Sequence, residues 1–125
     1  MENKFTVEIG GREIPLKYTM RELADMEEQI GTMDQFRDLI LEGRKRLRNM
    51  AAAIRIMGNA GLKAAGQEPD LTDDGVLDAM ETSKIKTYQI AVLAVFTGGW
   101  KMETEEEKEH DVVLEDIERK KEPGN

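Results

Sequence analysis

The sequence predicts a mainly helical α+β protein, with an N-terminal β-hairpin followed by four or five helices and a mobile acidic C-terminal tail. Apolar and polar residues alternate on both sides of Gly10-Gly11, which is the pattern of a hairpin. Further along, the apolar residues recur with helical spacing. Residues 101–125 contain ten acids and five bases, a composition typical of a solvated tail. We therefore expect a hairpin-plus-helix body over residues 1–100 and a disordered tail with a short amphipathic segment over residues 101–125.

The predicted hairpin is centred on the Gly10-Gly11 pair. The alternating apolar residues are Phe5, Val7, Ile9, Ile14, Leu16 and Tyr18. Glycine tolerates the positive φ angles of a tight two-residue turn, so this pair is a strong hairpin signal. Pro15 has no amide hydrogen, and we expect its nitrogen to point away from the partner strand. A lone hairpin is marginally stable in water, so its apolar face should pack on helices or on another copy of the protein.

Capping signals mark the first two helices. Thr19 and Glu22 have the spacing of a capping box, and Gly31 is suited to end the helix that they begin. The apolar face expected for this helix consists of Met20, Leu23, Met26 and Ile30. Thr32 and Gln35 repeat the capping spacing and predict a short second helix.

A third, longer helix is expected after Gly43, running to about residue 65 or 66. Its predicted apolar stripe consists of Leu47, Met50, Ala51, Ile54 and Met57. Its second half is rich in small residues, namely Ala51, Ala52, Ala53, Gly58, Ala60 and Gly61. Because small side chains permit short distances between backbones, we expect another helix to approach this helix closely.

Two further helices are expected after the loop of residues 66–70. Thr72 is placed as an N-cap, with Leu71 and Val76 as a hydrophobic staple around it. The final helix should run from about residue 83 to residue 97 and end at Gly98-Gly99. Its predicted buried stripe consists of Ile85, Tyr88, Val92, Val95 and Phe96.

The charge and the residue types that the chain lacks restrict its function. The formal net charge of -8 argues against a general nucleic-acid or anionic-membrane binder, because phosphate contacts need positive surface. Cysteine is absent and His110 is the single histidine, so one chain cannot assemble a thiol nucleophile, a catalytic triad or a two-histidine metal site. No apolar run approaches the roughly 18 residues of a membrane span, and no signal peptide is seen. We expect an intracellular, non-enzymatic protein without cofactors.

Residues 70–81 have spacing close to that of an EF-hand calcium loop. Its oxygen ligands would be Asp70, Thr72, Asp74, Asp78 and Glu81, with Gly75 at the sharp turn. Gly66 and Pro69 break the incoming helix that such a loop needs, and no second hand is present in the sequence. A capped helix with acids in its first turn is therefore the preferred interpretation. A small calcium-responsive protein-binding module stays as the alternative function.

Two groups of side chains are candidates for partner binding. The first is a basic cluster that consists of Arg44, Lys45, Arg46, Arg48 and Arg55. It is interpreted either as a solvated helix face or as a docking patch for an acidic partner, such as the acidic tail of a neighbouring copy. Arg44, Arg48 and Arg55 can lie along one side of the helix. The second group comes from the eight methionines, which are mostly core filler, although thioether side chains also suit adaptable grooves. The candidates from this group are Met50, Ile54 and Met57, if their stripe on the third helix is not wholly core.

The residues of the first segment resemble a known family. The stretch KFTVEIGGREIPLKYTMRELADMEEQIG is similar to the start of tail assembly chaperones of long-tailed bacteriophages, prophages and gene transfer agents. A second stretch, AAAIRIMGNAGLKAAGQEPDLTDD, looks like the central helix and loop of members from Gram-positive phages. The likeness covers roughly residues 4–100, and the motifs are structural rather than catalytic.

The resemblance implies a non-enzymatic role in virion morphogenesis. Such a chaperone coats the long tape measure protein, keeps it soluble and recruits tail tube subunits. It would act in the bacterial host cytoplasm and be absent from the mature virion. The family has no catalytic or cofactor residues to carry over. Independently of the resemblance, we expect self-association, because a hairpin cannot protect both of its edges.

Overall fold

The computed structural model describes residues 5–108, with side chains described as far as residue 98. Its elements are β1 (Thr6–Ile9), β2 (Arg12–Pro15), α1 (Met20–Gln29), α2 (Phe36–Leu41), α3 (Arg46–Ala64), α4 (Asp73–Ala79) and α5 (Ile85–Lys108). Short 3-10 turns precede α2 and α5, at Met33–Gln35 and Thr82–Lys84. The predicted fold class, a hairpin followed by helices, is confirmed over these residues. A first compact unit ends at Val95, and a second begins at Phe96 within α5.

The hairpin forms as the glycine pair predicts. Gly10 and Gly11 have φ values of 60° and 80°, and β1 pairs antiparallel with β2 so that Val7 lies opposite Ile14. Beyond the strand ends, the Leu16 amide donates to the Phe5 carbonyl at 2.9 Å. Directly opposed residues alternate between hydrogen-bonded and non-hydrogen-bonded pairs. Pro15 therefore falls in a non-hydrogen-bonded pair, and its missing N–H is not needed by the ladder.

Both capping boxes predicted for the first helices are present. The Glu22 carboxylate accepts from the Thr19 amide at 2.7 Å, and the Gln35 side chain accepts from the Thr32 amide at 3.2 Å. The apolar face predicted for α1 is wrong at Met20, which is 77% exposed. The buried side of α1 carries Glu22 and Met26, and a residue two positions before Glu22 points to the opposite side of the helix.

Helix α3 lies at the centre of the first unit and packs against β2, α1, α2 and α4. The sequence predicts that a helix approaches its small residues, whereas the structure places the hairpin strand β2 there. A Cβ on Gly61 would overlap the carbonyl oxygen of Pro15, and a Cβ on Gly58 would lie 2.8 Å from the Ile14 side chain. Next to this crossing the Lys17 amide donates to the Met57 carbonyl at 3.0 Å. The small residues thus serve a strand-on-helix contact.

The prediction that Gly98-Gly99 ends the last helix is wrong, because α5 continues to Lys108. Glycine ends a helix readily where it takes a positive φ, and the described glycines that do so are Gly10, Gly11, Gly43 and Gly66. Inside a helix glycine costs only about 1 kcal/mol relative to alanine. The rest of the predicted tail, residues 109–125, lies outside the described residues. In the part that is described, no helix has both the length and the apolar character needed to cross a membrane.

Candidate partner-binding surfaces

The α3 stripe, which the sequence left as core or as a contact surface, lies in the core. Met50, Ile54 and Met57 have no exposed surface within the chain. They occupy the side of α3 on which the hairpin and the other helices pack. Most apolar stripes on helices face the core of their own domain, and the α3 stripe does the same. These three residues are therefore not available to a partner in the folded protein.

The structure divides the basic cluster into engaged and exposed members. The Arg55 Nε donates to Asp73 Oδ1 at 2.6 Å, and a second guanidinium nitrogen donates to the side chain of Gln29. Only 24% of the Arg55 side chain is exposed. Arg55 thus links α3 to the end of α1 and to the start of α4, where Asp73 is an acid in the first turn. Its role is structural, and the prediction that Arg55 belongs to a docking patch is not supported by this geometry.

Arg44 and Arg48 are exposed, as a docking patch would require. Arg44 lies in the turn before α3, whereas Arg48 belongs to its first turn, so of these two residues only Arg48 is on the helix. Arg46 turns back to donate to the Gly43 carbonyl at 3.2 Å. Binding of an acidic partner by Arg44 and Arg48 stays a prediction.

The residues of the calcium-loop hypothesis do not form a loop. Seven of the twelve residues make up α4, and the Thr72 hydroxyl accepts from the Gly75 amide at 2.9 Å as an N-cap. Asp70 instead pairs with Arg12 at 3.2 Å. No group of three or more acidic or histidine side chains within the described residues is arranged to hold a metal ion. The capped-helix interpretation of residues 70–81 is confirmed.

A shallow groove that the sequence did not indicate lies between the hairpin turn and α4. Its volume is about 280 Å³, and its walls include Ile9, Gly10, Arg12, Ile14, Asp70, Leu71, Val76 and Ala79. The Arg12–Asp70 ion pair joins its two walls. Binding sites for small molecules are typically enclosed and about 300–1,000 Å³ in volume. This open and partly ion-paired groove is better explained as the seam where the hairpin rests on α4.

The Asn59 side chain holds the loop of this groove to α3. Its amide nitrogen donates to the Leu71 carbonyl at 3.1 Å, and its oxygen accepts from the Leu71 amide at 2.9 Å. We expect Asn59→Ala to lower the free energy of unfolding by about 2 kcal/mol, because two partly buried backbone groups lose their partner. Asn59→Asp should lose about as much, since a carboxylate cannot donate to the Leu71 carbonyl. Urea denaturation measures both, and a loss below about 0.5 kcal/mol for both variants would contradict the role of this side chain.

Among the side chains that the structure describes, three large apolar ones are exposed, namely Met20, Met33 and Ile90, at 77%, 47% and 66%. The helical spacing places Met20 on a predicted buried face, whereas Ile90 belongs to no stripe predicted from the sequence. Spacing alone indicates the exposure of Ile90, because it lies two residues from both Tyr88 and Val92, which are buried on one side of α5. Single exposed apolar residues are common in proteins, so each is a candidate contact and not yet a site.

Comparison of the chain with models of protein families, with curated proteins and with solved structures found no match. The interpretation of function therefore depends on the residues and geometry of this chain and on the resemblance described above.

Proposed function

We propose that the protein is a non-enzymatic tail assembly chaperone of a bacteriophage or prophage. It binds and solubilises the tape measure protein, helps to recruit tail tube subunits, works in the bacterial host cytoplasm and leaves before the virion is complete. The observation that supports this proposal is that the segment carrying the resemblance has the hairpin and the capped helix that its motifs imply, and that β2 and α1 both pack on α3. In this segment the Gly10-Gly11 hairpin leads directly into α1, which begins with the Thr19–Glu22 capping box.

The proposed contact with the tape measure protein uses exposed apolar side chains, not the α3 stripe. Before the tail tube encloses it, a long helical protein with apolar faces is prone to aggregation. Met20 is the first residue of α1, Met33 follows α1, and Ile90 lies on the exposed side of α5. Flexible thioether side chains adapt to partners of varied shape. The net charge of -8 would keep the resulting complex soluble.

Co-expression with the cognate tape measure protein tests the function. We expect the chaperone to raise the soluble fraction of the tape measure protein several-fold and the two to co-purify. The triple variant Met20→Ser, Met33→Ser, Ile90→Ser should reduce co-purification strongly, because it removes apolar contacts and leaves the core intact. A matched control is Arg21→Ser, Asp34→Ser, Thr87→Ser, which changes exposed neighbours and keeps the net charge.

Two results would count against the proposal in different ways. If the tape measure protein is equally soluble alone, or never co-purifies with this chain, the chaperone function is wrong. If it co-purifies equally well with the triple variant and with the control, the function holds but the contact lies elsewhere on the molecule.

A further inference from the structure

The outer edge of β1 carries backbone groups without partners in the described part of the chain. Residues 5, 7 and 9 turn their amide and carbonyl groups toward β2, as the pairing of Ile9 with Arg12 and the Leu16–Phe5 hydrogen bond require. Thr6 and Glu8 must therefore turn theirs outward. The amide and carbonyl groups of Thr6 and Glu8 make no hydrogen bond among the described residues, and both side chains are exposed. The edge is a template for another strand.

The opposite edge of the hairpin is closed. Pro15 occupies an outward position on β2 and has no N–H to offer. Its carbonyl lies against Gly61 of α3, and the Lys17 amide already donates to the Met57 carbonyl. Proline and a covering helix are the usual ways in which proteins block strand addition. In the described part of the chain, β2 has a proline and a covering helix, and β1 has neither. We therefore expect strand addition on the β1 side.

We propose that β1 pairs antiparallel with β1 of a second copy of this chain, forming a continuous four-stranded sheet. In this pairing Val7 lies opposite Val7 of the second copy, and Thr6 lies opposite Glu8 of the second copy. The outward groups of Thr6 and Glu8 then form hydrogen-bonded pairs, as an antiparallel ladder requires. The buried faces of the two hairpins, marked by Val7 and Ile9, continue across the joint on one side of the sheet.

Charge and the length of the paired strand favour this register over its two neighbours. Only shifts of two residues keep the outward groups facing each other, and the shift toward the turn would place Glu8 opposite Glu8 of the second copy. Like charges directly opposite each other destabilise a sheet. The shift in the other direction would place Lys4 opposite Glu8, but Lys4 lies before β1, and this register pairs fewer strand residues. The proposed register pairs each Glu8 with an uncharged hydroxyl side chain, so the edge is complementary to itself.

One charged neighbour lies beside this edge without blocking it. The Lys84 ammonium is 3.9 Å from Glu8 Oε1, and both side chains are about half exposed. An exposed ion pair at this distance contributes little and is easily displaced.

Single cysteines test the register directly, because the chain has no cysteine of its own. Residues opposed in a non-hydrogen-bonded pair have Cα atoms about 4.5 Å apart, a distance that a disulfide can span. We expect Val7→Cys in the full chain to form a covalent dimer under mild oxidation. Ile9→Cys is the matched control, since Ile9 is equally buried on the same face but would lie far from Ile9 of the second copy. Absence of the Val7→Cys dimer, or equal cross-linking of both variants, would overturn the proposal.

Sedimentation of the full chain tests the charge argument. The natural chain should dimerise, and Thr6→Glu should weaken the dimer at least tenfold by placing two pairs of glutamates opposite each other. Adding Glu8→Lys should restore dimerisation, because each glutamate introduced at position 6 would then face a lysine. Circular dichroism checks that the variants remain folded, since Thr6 also donates to Glu13 at 3.1 Å. A chain that stays monomeric at high concentration, or a double variant as weak as Thr6→Glu, would refute the pairing. Neither test involves a tape measure protein, so the proposal is independent of the chaperone function.

Discussion

Replacing Met57 by alanine is expected to lower the free energy of unfolding by about 3 kcal/mol, as large-to-small changes in a packed core do. The Met57 side chain is fully buried on α3, beside the point where the hairpin rests. Its removal leaves a cavity that the surrounding β-hairpin and helices cannot fill without losing their own contacts. For a unit of this size the midpoint of thermal unfolding should fall by more than about 10 °C.

Met20→Ala is the matched control, because it is the same change on a helix at a residue that is 77% exposed. It should alter the free energy of unfolding by less than about 0.5 kcal/mol. Calorimetry or urea denaturation of both variants measures the difference. Equal stability of the two variants would mean that the α3 stripe is not core, and the interpretation of Met50, Ile54 and Met57 as a partner-binding surface would then be reopened.

Gly61→Ala is expected to destabilise the protein by about 2 kcal/mol, although alanine is the better helix former by about 1 kcal/mol. The added methyl group would overlap the Pro15 carbonyl, which is backbone and cannot move aside as a flexible side chain would. The hairpin must then shift away from α3, which strains the Lys17–Met57 hydrogen bond and the packing of Ile14 on Gly58. The test is therefore whether Gly61→Ala lowers or raises the free energy of unfolding.

Lys63→Ala is a suitable control for this prediction, since Lys63 is exposed two residues further along the same helix. It should leave the stability nearly unchanged, as measured by urea denaturation. A Gly61→Ala variant that is more stable than the natural chain would show that helix propensity prevails and that β2 does not pack closely on α3.

The predictions from sequence that succeeded concern interactions within a few residues. The Gly10-Gly11 turn, the Thr19–Glu22 and Thr32–Gln35 capping boxes and the Thr72 N-cap each follow from side chains that act on the adjacent backbone. Such contacts form in any tertiary context that tolerates the element. For the same reason local capping signals were enough to favour a capped helix over a calcium loop at residues 70–81.

The predictions that failed depend on segments far apart in the chain. A stripe of apolar residues on α3 has the same spacing whether a partner or the protein's own hairpin covers it. The spacing therefore could not show that Met57 is buried within the chain. Likewise, the small residues of α3 indicate that another segment packs closely on it, and only the fold shows that this segment is β2 with Pro15. Arg55 follows a run of charged neighbours in the sequence, whereas its partners Gln29 and Asp73 come from two other helices.

The sequence by itself determined the order of the elements, most of their ends and the acidic, cysteine-free character of the protein, because these properties arise from local backbone preferences and composition. Tertiary structure alone decided which surfaces remain for partners. It buried the methionine stripe, engaged Arg55 and covered the β2 edge, whereas the β1 edge at Thr6 and Glu8 has no partner among the described residues. The physical reason is that exposure depends on the long-range packing of the hairpin on α3, which brings together residues more than forty positions apart.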